Sequence, residues 1–176
     1  MRGKSDDKLS VVHKIFTRGK GNGPNKMIEL IATLIITTSS AALFAYWFRY
    51  TCMLILRAKT TRDYAASVAE ANQLSFVHVQ ATLREASPDL AVLKDALDRD
   101  YKVLTYLLKH ASNPSSADTA IEDRMLEVNY KLMQAWYSAC RHFSPAAARR
   151  ALDEMTTVVA HFANAMGERA VAGAAA

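Results

Sequence analysis

The side chains best suited to metal binding or acid–base chemistry are five histidines: His13, His78, His110, His142 and His161. The metal centre most often built inside a helical bundle is a di-iron site, which requires Glu-x-x-His pairs on facing helices. No Glu-x-x-His occurs anywhere in the sequence; Met125, for example, stands where a histidine would follow Glu122. The sequence therefore predicts no di-iron centre.

Two histidines and two cysteines remain as possible ligands or nucleophiles. His142 and His161 fall on successive predicted helices, so an antiparallel hairpin could bring them together around a haem or a metal. Hydrogen-bonded or solvated histidines are the favoured alternative. Cys52 and Cys140 form no CxxC pair, and no Ser-His-Asp or Cys-His set follows from the spacing. We expect no enzyme activity, no cofactor and no metal.

The element that organises the rest of the chain is an apolar stretch from Met27 to Leu56. Its inner part, Leu30–Phe48, contains 19 consecutive residues without a charge. As a helix this part would be about 28 Å long, close to the thickness of a bilayer's hydrocarbon core. The stretch predicts a single transmembrane helix. A cleaved signal peptide is the alternative, and the apolar run to Phe48 argues against it.

Aromatic and basic residues border this stretch, as is typical of a membrane interface. The predicted interface anchors are Lys26, Tyr46, Trp47, Tyr50, Arg57 and Lys59. Arg49 would be costly at the bilayer centre, but at this edge its side chain can reach the headgroups.

Small residues recur every fourth position along the same stretch. Thr33, Thr37, Ala41 and Ala45 form this row, and Arg49 extends it. Such a row lets a second helix approach closely, so it is a candidate helix-association face. Coincidence is the alternative, because small residues are abundant in this part of the sequence.

Charge is distributed unevenly along the chain. Up to Arg62 there are 11 Lys and Arg against 3 Asp and Glu, whereas from Asp63 onward there are 11 against 14. The net charge of +5 therefore comes from residues that flank the apolar stretch, where cations meet anionic lipid headgroups. We expect the lipid bilayer as a partner and no nucleic acid. The positive-inside rule favours a cytoplasmic N-terminus. We expect the protein in a plasma or inner membrane.

The remaining sequence predicts an all-α fold, with one N-terminal transmembrane helix followed by an antiparallel bundle of three to four helices. Residues 1–26 are predicted to be a basic tail, 27–56 the transmembrane helix and its extension, 57–169 the bundle, and 170–176 an Ala-rich disordered tail. Periodicity places helices at about 60–86, 88–111, 118–143 and 145–169. Ser87-Pro88 and Ser144-Pro145 are predicted helix starts.

The third bundle helix carries an apolar stripe and a pair of large aromatic residues. The stripe predicted to face the core is Ile121, Met125, Val128, Leu132, Ala135 and Ala139. Trp136 and Tyr137 are adjacent and must face different directions, so they are candidates for a partner-binding surface. The alternative is an aromatic side chain that covers the side of the bundle.

These patterns favour a non-enzymatic, single-pass membrane protein that acts as a small subunit or scaffold of a membrane complex. Its expected partner is a membrane protein or a second copy of itself. The alternative is a sensory bundle that binds a ligand between its helices and signals through the transmembrane helix to a separate effector.

Overall fold

All regular secondary structure in the described residues, 23–58, 63–110 and 117–174, is α-helical in this computed structural model. The helices are α1 (Gly23–Arg57), α2 (Ala65–Ala71), α3 (Phe76–Thr82), α4 (Leu90–His110), α5 (Ala117–Cys140) and α6 (Pro145–Ala174). The predicted all-α fold, with a helical bundle after one long apolar helix, is confirmed.

The chain divides into two compact units between Trp47 and Phe48. In the first unit, every side chain described from Lys26 to Trp47 is exposed. The segment Lys26–Arg57 is long and apolar enough to cross a membrane, judged by length and composition alone. The last ten residues of α1 belong to the second unit, where Cys52 is completely buried. The bundle therefore begins before residue 57, inside α1.

Helix α6 is the centre of the second unit, because α2, α3, α4 and α5 all pack against it. The heptad-like spacing of apolar residues in this helix predicts an inward row of Ala148, Leu152, Met155, Val159, Phe162 and Met166. The first five are fully buried and Met166 is partly buried. Helices α5 and α6 are antiparallel. Arg169 near the end of α6 donates to Asp123 near the start of α5, and Asn129, further along α5, donates to Glu154, nearer the start of α6.

The predicted helix over 60–86 is instead two short helices, α2 and α3. Gln73 adopts a left-handed φ of 53°, and the Leu74 amide donates to the Ala69 carbonyl at 2.8 Å. The Gln73 amide donates to the Glu70 carbonyl, which completes a Schellman motif at the end of α2. Glycine usually marks such a helix end, and its absence here explains why periodicity missed the break.

Three other helix boundaries refine the predictions. Asp89 Oδ1 accepts hydrogen bonds from the Ala91 and Val92 amides, so Asp89 rather than Ser87 caps α4. The start of α6 at Pro145 is confirmed. The C-terminal boundary at residue 170 is corrected, because α6 continues to Ala174 through exposed residues with high alanine content.

Most of the face of α5 that periodicity assigned to the core lies on the surface instead. Met125 is partly buried against the core, but the other five predicted residues are exposed: Ile121, Val128, Leu132, Ala135 and Ala139. The residues that α5 buries are Leu126, Asn129, Tyr130, Met133, Tyr137 and Cys140. This buried face contains polar groups that form hydrogen bonds with other helices, as described below. A search for apolar periodicity does not detect such a face.

Gly167 of α6 packs closely against Tyr64, at the start of α2, and against Val68 within α2. A Cβ atom added there would overlap the Tyr64 Cβ atom and would lie 3.3 Å from Val68 Cγ2. Glycine therefore allows the two backbones to pack closely, rather than merely weakening the end of α6.

We expect Gly167→Ala to destabilise the bundle despite alanine's higher helix propensity. Overpacking costs about 1–3 kcal/mol, whereas the helix gains roughly 1 kcal/mol. The overlapping Tyr64 Cβ atom is bonded to the backbone and cannot rotate away, so the cost should fall in the upper part of that range. The net loss should therefore be about 1–2 kcal/mol. Thermal unfolding followed by circular dichroism measures it. Gly173→Ala, at an exposed position of the same helix, is the matched control and should be neutral or slightly stabilising.

Candidate functional site

A polar cluster in the second unit joins α1, α5 and α6 around Arg49. Arg49 Nη1 and Nη2 donate to the two carboxylate oxygens of Glu154 at 2.7 and 2.8 Å. Arg49 Nη1 also donates to Asn129 Oδ1 at 3.3 Å and contacts Met133 Sδ at 3.2 Å. Asn129 Nδ2 donates to Glu154 Oε1 at 2.8 Å, so the three polar side chains form a closed network.

Burial makes this network more important than an ordinary surface ion pair. The Glu154 side chain is 14% exposed and the Arg49 side chain 36% exposed, and Asn129 is completely buried. A guanidinium bound through both nitrogens fixes the geometry as well as the charge. The cluster therefore ties the end of α1 to α5 and α6.

A pocket of about 490 Å³ lies beside this cluster. Its lining residues are Arg49, Leu132, Met133, Trp136, Ala147, Arg150, Ala151 and Glu154. Arg150 is exposed and, within the part of the chain that is described, makes no hydrogen bond or ion pair. Two arginines and one glutamate give the lining a formal charge of +1. The pocket offers cations and apolar surface, which suit binding of an anion that carries an apolar part.

Comparison with known proteins does not assign this arrangement to a family. No family model, no curated protein and no solved structure matches the chain. The function must therefore be argued from the residues of the chain itself.

The residues predicted for helix association separate into two groups. Thr33, Thr37, Ala41 and Ala45 are all exposed on α1, and their role stays a prediction. Arg49 is corrected, because its guanidinium is bound by Glu154 on α6 of the same chain and not by a helix of a partner.

The predicted interface anchors are placed on α1, apart from Lys59, which lies outside the described residues. Lys26, Tyr46, Trp47, Tyr50 and Arg57 are exposed, and the Tyr46 and Trp47 rings meet edge to face with centroids 6.3 Å apart. Their position at a membrane interface stays a prediction.

The structure distinguishes the two residues predicted for a partner surface. Trp136 is 53% exposed and lines the pocket. Tyr137 is corrected, since its side chain is 3% exposed and belongs to the core. Adjacent helical residues point about 100° apart, which places one outside and the other inside.

The histidine pair considered for a haem or metal does not come together. His142 lies in the turn before α6, whereas His161 lies 16 positions after Pro145, about 24 Å further along the helix axis. Burial lowers the pKa of His161. Among the described residues, no group of three or more His, Cys, Asp or Glu is arranged to hold a metal. Cys52 and Cys140 are both buried free thiols.

A second polar cluster, missed by the sequence analysis, surrounds Asp98 of α4. Its carboxylate accepts hydrogen bonds from Tyr130 Oη at 2.8 Å and Gln134 Nε2 at 2.9 Å, and Lys94 Nζ lies 2.8 Å away. Burial raises the pKa of Asp98, but the bonds from Lys94, Tyr130 and Gln134 outweigh it and leave the pKa below its usual value. The charged form of Asp98 is therefore favoured in the folded protein.

The pKa of Asp100, two residues later, is shifted in the opposite direction. Its side chain is 1% exposed, and Oδ2 accepts a hydrogen bond from the Ser75 amide at 2.6 Å. Oδ1 has no hydrogen-bond partner among the described residues. Burial raises the pKa of Asp100 more than the Ser75 and Phe76 amides and Arg99 lower it. The buried charge therefore costs stability at neutral pH.

These two aspartates predict opposite pH dependence in matched variants. At pH 7, Asp98→Asn should lose about 2 kcal/mol, because charge-assisted hydrogen bonds are lost. That loss should shrink as the pH falls through the lowered pKa, below about 4. Asp100→Asn should become more stable relative to the unchanged protein as the pH rises from about 4 through the raised pKa. Thermal unfolding between pH 3 and 7 measures both effects. If the stability difference from the unchanged protein varied with pH in the same way for both variants, the opposite pKa shifts of Asp98 and Asp100 would be contradicted.

Proposed function

We propose that this is a single-pass, membrane-anchored helical-bundle protein that acts by association, as a small subunit or scaffold of a membrane complex, without catalysis. The observation that carries the proposal is the composition of α1. Its first part exposes large apolar side chains that no described residue covers, and its last ten residues are built into the bundle.

The unbroken helix supports an anchor rather than a cleaved signal. Helix α1 runs without interruption from Gly23 to Arg57. Cleavage before residue 48 would leave Arg49 and Cys52 at a new chain end, although both are held by the bundle. A soluble core helix is disfavoured as well, because no residue in the most apolar 18-residue window of the segment is buried.

The apolar face of α5 supports association. Ile121, Val128 and Leu132 recur along its exposed side, and Trp136 continues them. Contiguous exposed apolar residues mark interaction sites more often than ordinary surface. In this proposal the partner is a membrane protein or a second copy of the chain.

Crosslinking in native membranes tests the association directly. The double variant Ile121→Glu and Val128→Glu should lose the crosslinked species while keeping its fold, since both side chains are exposed. The matched control is Val77→Glu with Val92→Glu, on α3 and α4: Val77 is 48% exposed and Val128 is 49% exposed. The control should crosslink normally. A strictly monomeric protein, or equal loss in both double variants, would contradict the proposal.

A sensory bundle is the second candidate, and the pocket is the observation that favours it. Charged groups of α1 and α6 converge on a space of about 490 Å³, within the range of small-molecule sites. In this alternative a bound ligand would act through the Arg49 and Glu154 contact and would require a separate effector. Ligand-dependent crosslinking of a second protein would favour it over a constitutive scaffold.

A further inference from the structure

The pocket beside Arg49 combines two kinds of wall. Arg49, Arg150 and Glu154 form the polar wall, and Leu132 and Trp136 form an apolar wall that is partly exposed. Such a lining fits a molecule with an anionic group at one end and an apolar part at the other.

Arg150 is the cation that remains free to bind this anion. Both nitrogens of the Arg49 fork are occupied by Glu154, so these two charges compensate each other. Arg150 lies one helical turn before Glu154 on α6 and makes no hydrogen bond or ion pair within the described ranges. Guanidinium groups bind phosphate oxygens through parallel hydrogen bonds, which makes a phosphate a suitable anion.

Trp136 and Leu132 supply the surface for the apolar part. Trp136 is 53% exposed although it lines the pocket, and an indole ring suits the boundary between headgroups and acyl chains. The pocket is open to solvent and not an enclosed cavity, and both residues are exposed.

The position of Arg49 in the sequence identifies the source of such a molecule. Arg49 directly follows the uncharged run Leu30–Phe48. This step rests on the proposed function: when α1 spans a bilayer, the residue after that run lies at the level of the lipid phosphates. We propose that the pocket between α1, α5 and α6 binds the phosphate of an anionic membrane lipid, with Arg150 as the phosphate ligand and Trp136 beside the first acyl carbons.

Trp136 itself reports on the pocket, since the chain has only two tryptophans. The variant Trp47→Phe leaves Trp136 as the single fluorophore. The full chain is placed in nanodiscs of zwitterionic lipid that contain a fixed fraction of phosphatidylglycerol brominated near its headgroup. Bromine quenches tryptophan on contact. Quenching should be several-fold stronger than with the same fraction of brominated phosphatidylcholine.

A matched pair of variants assigns the preference to Arg150. Arg150→Gln should weaken the apparent affinity for the anionic lipid about tenfold, which corresponds to the loss of one charge-assisted hydrogen bond. Arg84→Gln, which removes the same charge from an exposed residue outside the pocket, should leave the preference unchanged.

Three results would overturn the inference. Equal quenching by both brominated lipids would place Trp136 at an interface without a phosphate site. Relief of quenching by millimolar inorganic phosphate would make free phosphate the ligand. Unchanged selectivity in Arg150→Gln would remove the assigned ligand. If the chain enters nanodiscs but shows no selectivity, only this inference fails; if the chain does not enter them, the proposed membrane anchor fails as well.

Discussion

The double variant Ile35→Asp and Ile36→Asp is expected to release the protein from membranes. Both residues lie in the middle of the uncharged run and are exposed on α1. An aspartate at the centre of a spanning helix costs about 2.5–3.5 kcal/mol on insertion scales, so the pair costs roughly 6 kcal/mol. That penalty lowers partition into the bilayer by about four orders of magnitude. Flotation of vesicles on a density gradient, after cell-free synthesis in their presence, measures the effect.

Two controls separate lost insertion from lost folding. Val77→Asp with Val92→Asp adds the same charges to exposed positions of the bundle and should leave flotation unchanged. The melting temperature of the bundle should stay the same in Ile35→Asp and Ile36→Asp, since these residues belong to the first unit. Continued flotation of this variant would show that α1 does not hold the protein in the membrane.

Glu154→Ala should be the most damaging single substitution of a charged residue in the bundle. It leaves the completely buried Asn129 amide without its acceptor and Arg49 without its counter-ion. Breaking a fully buried pair costs about 3–5 kcal/mol, and the partial exposure of Arg49 reduces this to roughly 2–3 kcal/mol. Thermal unfolding in mild detergent measures it.

Glu127→Ala is the matched control for this substitution. Glu127 lies on α5 and forms ion pairs of 3.8 Å with Lys109 and 3.4 Å with Arg124, both through exposed cations. Its removal should cost no more than about 0.5 kcal/mol. Glu154→Gln, which keeps one acceptor oxygen but loses the charge, should fall between the two. Equal losses in Glu154→Ala and Glu127→Ala would mean that the cluster does not hold the end of α1.

The sequence predicts those features of this structure that depend on residues close together in the chain. The three long bundle helices and the inward row of α6 follow from apolar periodicity within one helix, whereas the helix predicted over 60–86 is two short helices. The pair of Arg49 and Glu154 joins residues 105 positions apart, so no spacing rule points to it. The sequence places Arg49 at the edge of the apolar stretch but does not indicate that Glu154 binds it.

The errors on α5 and α2 have different physical origins. Helix α5 buries Asn129 and Tyr130 because Glu154 and Asp98 on other helices supply their hydrogen bonds. A periodicity that counts only apolar residues therefore selected the opposite, exposed face. Helix α2 ends at Ala71, and Gln73 takes the left-handed conformation for which glycine is the usual residue.

Alkaline extraction of native membranes distinguishes a membrane anchor in α1 from a cleaved signal or a soluble core helix. A tag at the C-terminus follows the bundle itself. We expect the tagged chain to stay in the membrane pellet at high pH, because a spanning helix resists extraction while peripheral proteins are released. Recovery of the tagged bundle in the supernatant would contradict the account, since both a cleaved signal and a soluble core helix give that result.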